Sequence, residues 1–417
     1  MIKSFNKSSH LIKSFLDTRK KTLYLTKNLT VEDMVIQTNS FVSPIKWHLA
    51  HTTWFFENFI LKKIKKYKIF DKSFDFIFNS YYYTVGKFNP KDMRGYLNRP
   101  ELKKILQYRL HVEKNICDFF SKKNVSEKKK SLLLIGINHE QQHQELILMD
   151  ILNIFFNNPL RPQYAKKNRK YGINKSNQLW KSESKISFKY GADTNNEFFY
   201  DNESPSSEKN LYPYQIEIDF VSNNDWKDFI SCDGYKRPEL WLSDGWDFIQ
   251  KNKIDKPMYW IDDKNQFCLT GIEKIDNNDP VSHISFYEAD AYCRYRKKRM
   301  PTEFELEFFL QNNKKDGNFL EKGCYRAVNF YNEKEKFNNF CYGNLWSWTS
   351  SNYLPYEGFK SFKGNLEEYN RKFMCNQFVL KGGSFATPKN HIRSSYRNFY
   401  YPSDRWHFSG LRLASDI

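Results

Sequence analysis

The chain has 417 residues, of which 40% are hydrophobic, 18% aromatic and 27% charged, a balance that excludes a disordered polymer and leaves room for two or three domains. Its formal charge is +18, but the basic residues fall in short tracts such as Lys128-Lys129-Lys130 and Lys297-Lys298-Arg299, with no basic stripe, so neither nucleic acid nor a membrane is an expected partner. Seven cysteines without a CxxC pair, no apolar leader and no run of the ~20 apolar residues that a bilayer requires predict a soluble, cytoplasmic protein with reduced thiols.

Four segments carry apolar positions at helical spacing: His10 to Lys27, Pro44 to Ile60, the stretch after Pro100 through Ile116, and Lys130 to Phe156. Pro100 suits a first helical turn, and Pro159 stops the last segment. The pattern predicts an antiparallel four-helix bundle over residues 1–162, a scaffold that can hold a metal ion between facing helices. Residues 163–184 are polar and basic without a long period, and are expected to form a linker. Over 185–417 the texture changes to short strands and glycine-punctuated turns with a few helices, which predicts a domain with long functional loops. The expected fold class is α+β in two domains.

The densest chemistry is His139-Glu140-Gln141-Gln142-His143, inside the fourth helical segment. Residues i and i+4 share a helical face, so both imidazoles can reach one ion. The second segment holds His48 and His51; Trp47, Trp54 and Phe55 place His51 toward the core, whereas His48 is expected at the edge of that face or in a supporting role. Three neutral imidazoles suit iron and zinc alike, so ligand type leaves the metal open.

Longer motifs run along the chain: SPIKWHLAHTTWFFE from Ser43, FNSYYYTVGKFNPKDMRGYLNRP from Phe78, INHEQQHQEL from Ile137, KGGSFAT from Lys381 and RSSYRNFYYPSDRWHFSGLRLASD from Arg393. Together they resemble the ergothioneine-biosynthesis sulfoxide synthases, which join a DinB-like four-helix bundle to a C-type-lectin-like domain of the formylglycine-generating fold. The resemblance implies that His51, His139 and His143 hold Fe(2+). It implies an oxygen-dependent coupling of a thiol to imidazole C2 of hercynine, with oxidation of the sulfur. Gln142 would bind the substrate imidazole, and Asn398, Phe399 and Tyr400 would form the betaine-binding strip, since a trimethylammonium group prefers aromatic faces. Tyr81 and Tyr82 match the family's tyrosine pair, with Tyr83 as an extra neighbour. Arg94 matches a substrate-carboxylate arginine; Lys91 stands where many relatives carry a second arginine and lacks its forked geometry. The Asn398-Phe399-Tyr400 strip favours free cysteine over γ-glutamylcysteine as thiol donor.

Three other readings compete. An HExxH zinc metalloprotease would use Glu140 as general base. A formylglycine-generating enzyme would need two cysteines late in the chain, and none follows Cys375. The third is a non-catalytic DinB/lectin-like binding protein.

Overall fold

The computed structural model describes residues 2–122, 124–167, 179–182, 184–192, 198–329 and 341–417, with residues 2–8 as backbone only. The chain divides into two compact units, one of Met1–Tyr164 with Lys363–Tyr369, the other of Ala165–Phe362 with Asn370–Ile417.

The first unit is a helical bundle of α1 (Ile2–Thr26), α2 (Ile45–Phe59), the short α3 (Phe74–Phe78), α4 (Leu102–Phe120) and α5 (Glu127–Asn157). Helix α4 buries Ile105, Tyr108, Arg109, Val112, Ile116 and Phe120, the one-sided spacing of a flanking helix. Helix α2 is different: every residue but Asn58 is buried. Helix α5 is buried over most of its length, including the whole stretch Gly136–Gln141. Helices buried on all sides occupy the middle of a fold, so α2 and α5 are the central pair. Gly136 lets them approach, because a Cβ there would lie 2.3 Å from the Phe56 ring.

The buried Glu140 carboxylate in this core is paired on both oxygens. Glu140 of α5 accepts from Arg19 of α1 through one oxygen and from Arg109 of α4 through the other, each at 3.0 Å. Arg19 also donates to Thr53 of α2, so one ionic cluster ties all four long helices. Burial alone would raise the Glu140 carboxyl, but Arg19 and then Arg109 overcome that and hold it down to about 2.

The second unit carries β1 (Leu179–Ser182), β2 (Ile186–Tyr190), β3 (Ser207–Leu211), β4 (Tyr214–Glu217), α6 (Asn223–Ser231), α7 (Ser243–Asn252), β5 (Asn265–Cys268), β6 (Gly271–Lys274), α8 (Phe286–Tyr295), α9 (Glu303–Gln311), β7 (Gly317–Asn318), β8 (Tyr342–Gly343), β9 (Trp346–Asn352), β10 (Phe378–Lys381), β11 (Asn398–Tyr400), β12 (Ser409–Gly410) and β13 (Ala414–Asp416). Its main sheet runs β11-β10-β9-β12, and a second runs β1-β4-β13. Capping boxes start α6, α8 and α9, at Ser222, Ser285 and Thr302.

The architecture is the expected α+β in two parts. Strand β1 begins inside the segment expected to be linker, antiparallel to β4, and residues 168–178 of that segment lie outside the described residues. Among the described residues, no helix is long and apolar enough to cross a membrane.

Candidate metal centre

The central helices bring His51 of α2 and His139 and His143 of α5 together. One ligand nitrogen from each lies within 4.8 Å of the others, and all three residues are buried. Burial is the first cause that lowers all three imidazoles below their ordinary range, His139 to about 3, so they are neutral and have lone pairs to offer.

The surroundings fix which nitrogen offers the pair. The carbonyl of Phe78, the last residue of α3, lies 2.7 Å from His51 Nδ1; a carbonyl only accepts, so Nδ1 holds the proton and Nε2 keeps its lone pair. Asp150, two helical turns beyond His143 on α5, accepts from His48 Nε2 at 2.8 Å. His48 Nδ1 lies 2.8 Å from His143 Nδ1. With the proton of that contact on His143 Nδ1, His143 Nε2 is also left with a lone pair. Asp150 itself is held by the Ser43 backbone N–H, 2.9 Å from Oδ2.

The third member is less supported. His139 Nδ1 is buried without a hydrogen-bond partner, and His139 Nε2 lies 3.2 Å from His51 Nε2. A proton on His139 Nε2, or a cation shared by the two nitrogens, would satisfy that contact. This donor set therefore fits a divalent metal ion, and the partners of His51 and His143 supply the outer shell that orients metal ligands.

Aromatic rings wall the centre. Trp47 stacks on His51 at 4.5 Å and 8°, and Phe55 lies 4.3 Å from His139. The buried Arg94 guanidinium sits 3.5 Å over Trp47, donates to Ser43 Oγ at 2.9 Å, and has no partner at Nε. Burial pulls it down to about 9, with Asp150 acting the other way, so it is still a cation at neutral pH. Lys91 is exposed, and its carbonyl accepts from Gln37 Nε2 at 2.7 Å.

Tyr82 is fully buried against Phe59 and Trp54, with Tyr81 stacked on it at 4.6 Å. Tyr83 is 73% exposed, which separates it from that pair. Gln142 Oε1 accepts from the Tyr369 hydroxyl at 2.6 Å. Tyr369 belongs to the seven-residue segment packed with the bundle, and its ring lies 5.9 Å from that of His139. Sequence reasoning did not find Tyr369, which lies 227 residues from Gln142 in a stretch without periodicity. Asp150 was also missed, although its seven-residue spacing from His143 is a same-face signal.

Asn398, Phe399 and Tyr400 form β11, the edge strand of the main sheet in the second unit. Phe399 stacks on Tyr353 at 4.0 Å and on Phe373 at 5.9 Å, and Tyr400 stacks on His407 at 3.8 Å. All three are half-buried, part of an aromatic cluster that still reaches the surface. Glu140, the general base of the protease reading, has both oxygens committed to arginines, and that reading does not fit the centre.

Comparison with known proteins agrees with this division. The sulfatase-modifying factor enzyme 1-like domain model matches residues 183–341 and 337–417, over half of the chain, and the DinB superfamily model matches residues 14–147. A protein named hercynine oxygenase from Mycolicibacterium thermoresistibile is 24% identical over 98% of this chain and 95% of its own length. Its namesake from Mycolicibacterium smegmatis is 30% identical over 52% of this chain, a match that spans 56% of that relative. Ergothioneine biosynthesis protein 1 of Schizosaccharomyces pombe is 25% identical over 52% of this chain and 28% of its own length. The chain therefore belongs to the sulfatase-modifying factor enzyme 1-like family, in a fusion that places a DinB-superfamily bundle ahead of that domain.

Proposed function

We propose that the chain is an oxygen-dependent oxidoreductase that holds Fe(2+) on His51, His139 and His143 and couples a cysteine thiol to imidazole C2 of hercynine. The C2–H and S–H bonds break, and a C–S bond and an S=O bond form. One atom of O2 ends on sulfur and the other leaves as water, so the four electrons lost by the two substrates reduce one O2. Bound Fe(2+) would supply the site where thiolate and oxygen meet, since three protein ligands leave open positions.

The observation that carries the reading is the set of neutral imidazoles whose ligand nitrogens converge beside a phenol–amide pair. With Oε1 accepting from Tyr369, the Gln142 amide is oriented so that its NH2 end is the donor for a substrate imidazole nitrogen. Arg94, a buried cation with a vacant Nε, would meet a substrate carboxylate, with the exposed Lys91 as a second cation that lacks the forked geometry of an arginine. Phe399 and Tyr400 would offer ring faces to the trimethylammonium group, with Asn398 as their polar companion. Tyr81, Tyr82 and Tyr369 are the candidate phenols to deliver a proton to reduced oxygen. A cytoplasmic setting, where thiols remain reduced, suits such a substrate.

The test is aerobic incubation of iron-loaded protein with hercynine and either cysteine or γ-glutamylcysteine, with mass spectrometry of the product. The expected result is a hercynyl sulfoxide, formed faster with cysteine. Peptide cleavage with zinc and no oxygen uptake would overturn the assignment.

A further inference from the structure

Residues Lys363–Tyr369 pack with the bundle although the chain on both sides belongs to the second unit. One carboxylate marks where the segment leaves and returns: Asp201 accepts from the Phe362 backbone N–H at 3.1 Å and from Asn370 Nδ2 at 2.5 Å. With its ends gathered on one side chain, the segment is a strap of the kind seen in compact surface loops. It holds a single 3-10 turn, Gly364–Glu368, entered at positive φ by Gly364. Side chains three apart eclipse in such a turn, so Leu366 and Tyr369 are buried on one side while Lys363, Gly364 and Glu367 are exposed.

The Glu368 side chain anchors the strap alongside the Tyr369 hydroxyl and carbonyl. Glu368 Oε1 accepts from the Thr84 backbone N–H and the Thr84 hydroxyl, both at 2.8 Å, and Oε2 accepts from the Tyr83 N–H at 3.2 Å. These donors sit directly after Tyr81 and Tyr82, and the Tyr81 hydroxyl reaches the Tyr369 carbonyl at 3.5 Å. A carboxylate on two successive backbone donors is a charge-assisted, direction-fixing contact. Loss of that contact would loosen the far end of a short turn entered through a glycine.

We propose that Glu368 is the positioning residue that holds Tyr369 against Gln142 beside the three-histidine centre. The proposal deepens the reading above, and its first readout does not depend on that reading.

Tyrosine nitration with tetranitromethane, mapped by peptide mass spectrometry, reports Tyr369 directly. Tyr96, which is 76% exposed, serves as the reference tyrosine in the same sample. In E368A, Tyr369 nitration relative to Tyr96 should rise ~5-fold or more, as expected for loss of an ordinary net hydrogen-bond contribution. E368Q keeps an accepting oxygen and should give a smaller rise. Protection unchanged in both variants overturns the proposal. If E368A does not fold, E368Q decides alone by the same ratio. The second readout is the partition between hercynyl sulfoxide and cysteine sulfinate. E368A should move it in the same direction as Y369F, and E368A/Y369F should match Y369F. Independent, additive effects overturn the positioning role. Failure of every form to act on hercynine would count against the functional reading, and nitration would still decide the strap.

Discussion

At the residue scale, the three imidazoles differ in what stands behind them. His143 is backed by His48 and Asp150, His51 by the Phe78 carbonyl, and His139 by no hydrogen bond at Nδ1. A His143→Ala variant is expected to lose metal binding and product together, as read by metal analysis after anaerobic loading. An active, iron-loaded variant would remove His143 from the ligand set. Asp150→Asn leaves the three ligands in place and disturbs only the proton order of the chain behind His143. Such outer partners are typically worth 10–100-fold in affinity, so Co(II) titration of Asp150→Asn should show a loss of roughly that size. An unchanged titration would mean that the His48–Asp150 contact does not orient His143. Tyr82→Phe is expected to move turnover from coupling toward cysteine sulfinate; an unchanged product ratio would exclude Tyr82 as the proton donor and leave Tyr81 and Tyr369.

At the element scale, the bundle is organised by two helices with no outward face, and this decides what the sequence discloses. The 3.6-residue period announced the four long helices, and the HxxxH spacing announced two of the three histidines of the centre, because both are local. Periodic positions in the sequence favoured His51 over His48, and in a helix that is buried all round their roles separate through Asp150 and Phe78. Strand β1 was illegible for a related reason: Leu179-Trp180-Lys181-Ser182 has no alternation of its own and is a strand through pairing with β4. The Glu140 cluster is the element-scale feature most open to test. Removing one partner of a buried pair costs about 3–5 kcal/mol, so Glu140→Ala should lower the bundle's stability by that order in urea unfolding. Because the Glu140 carboxyl is depressed to about 2 in the folded protein, its contribution is complete above the ordinary glutamate range. It is lost as pH falls from that range toward about 2. Wild-type stability should therefore decline over that acid window with a slope that Glu140→Gln lacks. Parallel pH profiles for the two proteins would show that the two arginines do not carry the fold through this carboxylate.

At the scale of the whole molecule, the proposed ligands all come from one unit, whereas the matched sulfatase-modifying-factor domain lies in the other. A chain of two compact units need not unfold in one step, and a ligand stabilises the cooperative unit that binds it. Metal present at about 100 times its dissociation constant adds about 2.7 kcal/mol to the state that holds it. For a unit of this size that corresponds to a rise in unfolding midpoint of roughly 5–10 °C. Calorimetry of the full chain with Co(II) should place the shift in the transition that tracks the bundle, and His143→Ala should remove it while leaving the other transition where it was. The strap adds a condition to this expectation, because Tyr369 is carried on a turn whose two ends are gathered by Asp201 of the second unit. Metal affinity should therefore survive loss of the Tyr369 hydroxyl, which contributes no ligand atom, while product partition should not. A midpoint shift that persists in His143→Ala, or that falls on the other transition, would place the metal elsewhere and leave the convergence of the three imidazoles without a role.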